Sequence, residues 1–172
     1  DVDHGQTTEF TVVGSTVLGF TARDSDGAVG GQPFDASSLV ENGYVSFDLK
    51  MTQLPTGGQS DWLIKVESEA AATAAEVSLS TSVEGHAAPA LDTWQTYTFS
   101  FATLQAAGLD LSAIDVFMVF PAWGPGDGAV FRIDNFRIHG TETNVIPPVV
   151  NTQMNLDFET GGAGKDGYTW VV

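Results

Sequence analysis

The chain contains no cysteine among its 172 residues, and it has only six lysine and arginine residues against 22 aspartate and glutamate residues. The absence of cysteine excludes disulfides and thiolate chemistry, and it leaves the redox compartment undetermined. The formal net charge of −16 repels phosphate backbones and anionic membranes, so we expect neither nucleic acid nor a membrane as a partner. Such a charge suits a protein in a salty extracellular medium, where salt screens the repulsion between its carboxylates, or a protein that binds cations.

The sequence also lacks any apolar run of membrane-spanning length and any recognisable catalytic motif. It has no Gly-x-Ser-x-Gly elbow, no His-Glu-x-x-His and no phosphate-binding loop. With so many acidic residues, two carboxylates will lie at the separation found in glycosidases by chance. The number of aspartate and glutamate residues is therefore no evidence for glycosidase activity. We therefore expect that the chain is not an enzyme.

The sequence does contain many short alternating apolar stretches, separated by Gly, Pro, Asp and Ser, in a chain that is 42% hydrophobic. This pattern predicts an all-β sandwich in a single globular domain. Only Ala102–Gly108 and Ala70–Ala75 favour helix, and the second could equally be a loose loop. The predicted strands are Thr8–Val13, Val17–Ala22, Tyr44–Met51, Trp62–Glu67, Glu76–Thr81, Thr93–Phe101, Asp115–Phe120, Ala129–Ile138, Asn155–Glu159 and Tyr168–Val172.

Alternation within two of these strands assigns side chains to faces. Lys65 and Glu67 should lie on the outer face, where ligand binding and plain surface exposure are equally good interpretations. Asp48 and Lys50 should also lie outside, and ordinary cross-strand pairs explain them better than binding does. The positions predicted to face the core are Phe47, Leu49, Met51, Trp62, Ile64 and Val66.

The order of the segments predicts that the chain is one repeat unit of a multidomain protein, and that its two ends lie inside a module and not at the linker between modules. We expect residues 1–140 to form the β-sandwich module, 141–153 to be a linker and 154–172 to supply the opening strands of a module. The end and the start of the chain also join into plausible continuous sequence. The opening strands would complete this module as a circular permutation, or complete another copy in a strand-exchanged homo-oligomer or a neighbouring repeat.

A series of short motifs runs from residue 40 to residue 138: FDLK at 47–50, a lysine at 65, WQT at 94–96, GLDLS at 108–112, FPAWG at 120–124 and FRIDN at 131–135. The series resembles the C-terminal galactose-binding-like module of bacterial exo-β-glucanases of the ExoP type. This resemblance implies a jelly-roll β-sandwich that accompanies a glycanase and touches polysaccharide. The chain departs from that family because it lacks the paired cysteines near residues 67–72.

The run NLDFETG at 155–161 and the run IDN at 133–135 more loosely resemble jelly-roll modules that bind xylan and β-glucan. In such modules the opening Glu and the closing Asp come together on a structural calcium. Carboxylates from two adjacent strands suit this hard cation, so Asp134 and Glu159 are candidate ligands, with the carbonyl of Asp157 as a third. The alternative is that Asp134 caps a turn or bulge, because strict alternation breaks at that point.

Sugar binding needs aromatic faces for the C–H surfaces of pyranose rings and polar groups for their hydroxyls. Trp123 is the best aromatic candidate because it lies in a loop, although a loop tryptophan can equally fold onto the sandwich edge. His86 also lies in a loop and could touch a ligand, whereas a solvated histidine is the commoner case. Trp62 and Trp94 are expected in the core.

These observations predict a noncatalytic carbohydrate-binding module from a secreted, extracellular polysaccharide-degrading enzyme of a marine bacterium, present in tandem copies. The expected ligand is a β-glucan, with laminarin-like β-1,3-linked chains first and algal galactans such as agar next. The alternative is a calcium-stiffened extender repeat of a bacterial surface adhesin, which fits the low lysine and arginine content and the absence of cysteine. The candidate ligand-binding residues are Trp123, Lys65, Glu67 and His86.

Overall fold

The fold is given by a computed structural model that describes residues 4–58, 61–122 and 125–141, together with the backbone of 150–156. The regular secondary structure of these residues is mainly β-strand, and the α-helical part is short. The elements are β1 (Thr8–Thr11), β2 (Leu18–Thr21), β3 (Tyr44–Gln53), β4 (Trp62–Ser68), β5 (Thr73–Ser78), β6 (Gln95–Ser100), α1 (Phe101–Ala106), β7 (Ile114–Pro121), β8 (Val130–Thr141) and β9 (Val150–Leu156).

The strands form two antiparallel sheets that pack face to face as a jelly-roll β-sandwich, which confirms the predicted fold class. The first sheet has the order β1-β8-β3-β6, and the second has the order β2-β7-β4-β5. Strand β8 is long enough to pair with β3 on one edge and with both β1 and β9 on the other. Strand β1 takes the first half of that edge, where Thr8 lies opposite Ile133, and β9 takes the second half, where Leu156 lies opposite Phe136.

Aromatic side chains fill the space between the two sheets. The rings of Phe47 and Phe136 are stacked at a centroid distance of 5.8 Å, and Phe117 of the second sheet meets Phe136 edge to face at 5.1 Å. Trp62 is fully buried, as predicted, and contacts the ring of Phe131 at 4.9 Å. Because fully buried aromatic rings remove the most apolar area from water, these contacts dominate the stability of the sandwich. All the positions predicted to face the core are buried: Phe47, Leu49, Met51, Trp62, Ile64 and Val66.

Helix α1 occupies most of the segment predicted to be helical, but it begins one residue earlier and is shorter. Ser100 caps it, since the Ser100 hydroxyl accepts a hydrogen bond from the backbone N–H of Thr103 at 3.1 Å. The buried Phe101 of this helix packs so closely on Gly43 that a Cβ atom there would lie 2.8 Å from the Phe101 ring and 2.5 Å from Leu39 Cβ. Position 43 therefore requires glycine.

The Ala70–Ala75 run was predicted to be helix or loop, and that prediction was wrong for its second half. Residues 69–71 form a tight turn with positive φ angles, and strand β5 begins at Thr73. Strand β5 pairs with β4, so that Ala75 lies opposite Val66 and is fully buried. Pairing with an existing sheet therefore overrides the helix preference of alanine, which is a weak bias.

Strand β9 begins at Val150, inside the segment 141–153 that the sequence assigned to a linker, and β8 extends to Thr141. The predicted opening strands at 154–172 lie outside the described residues beyond Leu156. Their assignment to this module, another copy or a neighbouring repeat stays a prediction. In the described parts of the chain no helix has the length and hydropathy of a membrane span.

Candidate functional site

A bulge in β8 brings a carboxylate and an amide side by side on the outer face of the first sheet. Asp134 pairs with Asp48 and Arg137 pairs with Ser46, so β8 has one extra residue between these pairs. Asn135 takes up this extra residue with a φ of 51°, a left-handed conformation that asparagine tolerates well. The Asn135 amide donates a hydrogen bond to Asp48 Oδ2 at 2.8 Å. The bulge that the broken alternation predicted is thus confirmed.

Asp134 is almost completely buried at this bulge, with 3% of its surface exposed. Its Oδ1 accepts the backbone N–H of Asn135 at 2.7 Å, and a hydrogen bond of 2.9 Å joins its Oδ2 to His4 Nδ1. Burial raises the pKa of Asp134 above its usual value, the nearby Asp48 acts in the same direction, and these hydrogen bonds only partly offset the rise. An additional positive charge nearby would therefore stabilise the ionised form of Asp134.

Trp94 lies on the same outer face, next to this carboxylate cluster. The imidazole of His4 stacks on its indole at a centroid distance of 4.0 Å, and Lys50 Nζ lies 4.9 Å from the indole centroid. Trp94 is half-buried, so the prediction that it belongs to the core was wrong. Alternation contained the signal, because Tyr97 of β6 faces inward and Trp94, three positions earlier, must then face outward.

A second aromatic group lies at the other end of the face. Tyr44, the first residue of β3, is half-exposed and stacks on His139 of β8 at 5.8 Å. His139 Nε2 also forms a hydrogen bond of 3.2 Å with the Ser46 hydroxyl. Burial, and to a lesser extent the charge of Arg137, lowers the pKa of His139, so this imidazole is neutral at neutral pH.

These groups form one elongated surface, which we call the platform. Its length follows from β3: six residues separate Tyr44 from Lys50, which corresponds to about 20 Å along a strand. Between the aromatic ends lie hydroxyl, amide, carboxylate and guanidinium groups on three adjacent strands. The platform consists of Tyr44, Ser46, Asp48, Lys50, Trp94, Thr96, Thr98, Asn135, Arg137 and His139.

The predicted ligand residues Lys65 and Glu67 lie elsewhere, on the outer face of the second sheet. Arg23 Nη2 bridges Glu67 Oε2 and Asp115 Oδ1, both at 2.8 Å, and Lys65 Nζ contacts Glu67 Oε1 at 2.8 Å. The second oxygen of Asp115 accepts the backbone N–H of Ala70 at 2.7 Å, which anchors the turn before β5. Burial by itself raises the pKa of Glu67, but hydrogen bonds from Lys65 and Arg23 outweigh it and hold the pKa below its usual value.

Because both Glu67 oxygens contact cations, this cluster has an evident structural role. It links the segment after β2 with β4, β7 and the turn at 69–71. Binding of a ligand by Lys65 or Glu67 stays a prediction.

The predicted residue His86 lines a groove with a volume of about 640 Å³ that also contains Asp61, Gln95, Ala122 and Pro125. The His86 ring meets the buried Tyr97 edge to face at 5.8 Å. Trp123, the other predicted aromatic ligand residue, lies outside the described residues. Of the three predicted ligand residues that the structure describes, Lys65 and Glu67 lie on the second sheet and His86 lies in the groove, so these three do not form one site.

Of the predicted calcium ligands, Asp134 belongs to the described residues, and Asp157 and Glu159 lie outside them. Within the described parts of the chain, no group of three or more His, Asp or Glu side chains is placed to hold a metal ion. The two Asp134 oxygens instead have nitrogen partners, on Asn135 and His4. The described residues alone do not make a calcium site, so the prediction depends on the two acids that follow β9.

Comparison with known proteins adds information about the fold. No family model matches the sequence, and no curated protein matches it. Solved structures of family 30 carbohydrate-binding modules do match. One of them has a TM-score of 0.51 at 19% identity, over 77% of this chain and 66% of its own length. The chain thus spans just under two thirds of that relative.

A second similar structure is the family 30 carbohydrate-binding module of the cellulosomal cellulase Cel9D-Cel44B of Clostridium thermocellum. Its TM-score is 0.52 at 19% identity, over 81% of this chain and 76% of its own. A third, also of family 30, has a TM-score of 0.52 at 17% identity, over 78% of this chain and 75% of its own. The chain has the fold of family 30 carbohydrate-binding modules. At such identities the likeness shows the fold alone, and the resemblance to exo-β-glucanase modules stays a prediction.

Proposed function

We propose that the chain is a noncatalytic carbohydrate-binding module that adsorbs a β-glucan chain along the platform. The observation that carries this proposal is the arrangement of Trp94 and Tyr44 at the two ends of a polar strip about 20 Å long. Aromatic rings stack on the C–H faces of sugar rings, and the polar groups between them suit the hydroxyls. A strip of this length suits several consecutive sugar units of an extended chain.

The hydrogen-bonding groups on the platform are already held in position by the protein. Thr96 donates its hydroxyl proton to Asp48 at 2.7 Å, and the Asn135 amide bonds the same carboxylate. Arg137 donates to Asn135 Oδ1 at 3.0 Å. Because these contacts restrict side-chain rotamers before a ligand arrives, less conformational entropy is lost on binding.

His4 covers one face of the Trp94 indole, so a sugar that stacks on this face must displace the imidazole. The proposal therefore includes an exchange in which the ligand replaces His4 over the indole. A neutral glucan fits the platform better than a polyanion, because the net charge of −16 repels anionic chains at long range.

We further propose that the module belongs to a secreted polysaccharide-degrading enzyme, with laminarin-like β-1,3-glucan as the first ligand to test and agar-type galactans next. Each module would bind weakly, and tandem copies would raise the avidity through effective concentration. Structural calcium remains part of the proposal. It is supported by the raised pKa of the buried Asp134 and by the pairing of Leu156 with Phe136, two positions from Asp134.

Affinity electrophoresis and titration calorimetry against laminarin, mixed-linkage glucan, xylan and agarose test the binding proposal. We expect binding to at least one polymer, and Trp94→Ala should weaken it roughly tenfold or more, because a stacked aromatic face is lost. His4→Ala should strengthen binding, since the competing imidazole is removed.

Lys65→Ala tests the other candidate face, on the opposite sheet: wild-type affinity supports the platform, and a loss of affinity would move the site to the second sheet. If none of the four polymers bound, the sugar-binding proposal would be refuted and the adhesin-repeat alternative favoured. Unchanged affinity in Trp94→Ala would remove the platform as the site.

A further inference from the structure

The groove that contains His86 is separate from the platform and is built by loops at the ends of strands. One wall comes from the segment after β5, in which Val83 donates its N–H to the Thr98 carbonyl at 2.9 Å. The opposite wall begins just before β4, where the Asp61 carbonyl accepts the N–H of Ala122 at 2.6 Å. Both walls are therefore fixed to the sheets by backbone hydrogen bonds.

Gln95 presents an oriented donor to this groove. Its Oε1 accepts the backbone N–H of Ala90 at 2.7 Å and the Tyr97 hydroxyl at 3.3 Å, which fixes the amide orientation. The NH₂ group of Gln95 then has no hydrogen-bond acceptor within the described parts of the chain. A half-buried amide held in this way can donate a hydrogen bond to an oxygen of a ligand.

Two further polar side chains line the same groove and have no hydrogen-bond or ionic partner among the described residues. Asp61 supplies an acceptor, and His86 supplies one donor and one acceptor on its ring. The remaining described lining residues are small and apolar: Ala87, Ala88, Ala122 and Pro125. An apolar lining with a few convergent donors and acceptors matches a ligand that carries hydroxyl groups on a carbon ring.

We propose that this groove is a second saccharide site, which holds a short sugar segment such as the end of a glycan chain. The proposal rests on the carbohydrate-binding function and extends it from one site to two. The volume of about 640 Å³ lies within the range of small-ligand pockets. One module would then engage both the length of a glucan and a chain end.

Titration calorimetry with laminaritriose, supported by amide NMR spectra, tests the second site. The wild type should bind two equivalents, and Trp94→Ala should retain one. In Trp94→Ala the titration should shift the amide signals of Ala87, Ala88 and Ala122. Adding Gln95→Glu should abolish the remaining binding, because the substitution keeps the oxygen that accepts from Ala90 and removes the NH₂ donor.

Gln32→Glu, an exposed position far along the chain from the groove, is the matched control for the added charge and should change neither site. If Gln95→Glu does not fold, His86→Ala decides, since that side chain only lines the groove and packs on Tyr97. Loss of all laminaritriose binding in Trp94→Ala, with the groove amides unmoved, would overturn the second site and leave the platform intact. Absence of laminaritriose binding in the wild type would overturn the second site, whereas the platform proposal falls only if laminarin, mixed-linkage glucan, xylan and agarose also fail to bind.

Discussion

Replacing Arg23 with methionine tests whether the ion-pair cluster on the second sheet is structural. The substitution keeps an unbranched aliphatic chain and removes the guanidinium that bridges Glu67 and Asp115. Both carboxylates are nearly buried, at 7% and 4% exposure, and Lys65 contacts Glu67. Within the described residues, the Asp115 carboxylate would keep one hydrogen bond, which it accepts from the backbone N–H of Ala70.

Removing one partner from a buried ion pair costs about 3–5 kcal/mol, because it leaves an uncompensated charge in the interior. The Arg23 side chain keeps 20% of its surface exposed, so water screens part of the loss and we expect about 3 kcal/mol. In a domain of this size, each 1 kcal/mol shifts the melting temperature by about 2–4 °C. Arg23→Met should therefore melt about 6–12 °C below the wild type at neutral pH.

Scanning calorimetry from pH 3 to pH 8 is the assay, with Arg137→Met as the control at an exposed arginine. Because the folded-state pKa of Glu67 is lowered, its stabilising contribution is present at neutral pH and is lost as the pH falls through that pKa. The melting temperatures of wild type and Arg23→Met should therefore converge in acid. A neutral-pH difference no larger than that of Arg137→Met would refute the structural role of the cluster.

Two further predictions concern Asp134 and Gly43. Calcium should raise the melting temperature of the wild type relative to EDTA, and Asp134→Asn should lose this shift. In EDTA, Asp134→Asn should melt no lower than the wild type, because a carboxyl with a raised folded-state pKa destabilises the fold when ionised. If calcium still raised the melting temperature of Asp134→Asn, Asp134 would not be a calcium ligand. Gly43→Ala should cost about 1–3 kcal/mol by denaturant unfolding, because its Cβ would overlap Leu39 and Phe101. Gly57→Ala, whose Cβ would meet Pro125 O at 3.7 Å, is the control, and equal stability of the two variants would contradict the packing argument.

The strands were predictable from sequence wherever burial alternates strictly. In β3, Phe47, Leu49 and Met51 alternate with polar residues, and the predicted inward faces match the structure. Strand β5 was predicted to begin at Glu76, three residues later than its observed start at Thr73, because Ala74 and Ala75 favour helix. The pairing of Ala75 with Val66 of β4 fixes the earlier start.

The candidate sites were harder to predict because they depend on contacts distant in sequence. His4 lies 130 residues from Asp134, and no local pattern links the two. The bulge at Asp134 was visible as a break in alternation, but its consequence, a carboxylate held by Asn135 and His4, was not. Trp94 was assigned to the core from its place at the start of a strand. The inward positions of β6 would have assigned it correctly to the outer face.

Amide NMR spectra recorded during a titration with laminarihexaose test the central claim most directly. The platform account predicts that the largest signal shifts fall at residues 44–50, 94–98 and 135–139, on the outer face of the first sheet. Shifts confined to residues 63–67 and 115–118 of the second sheet would contradict it, as would a spectrum that laminarihexaose and the other glucans leave unchanged.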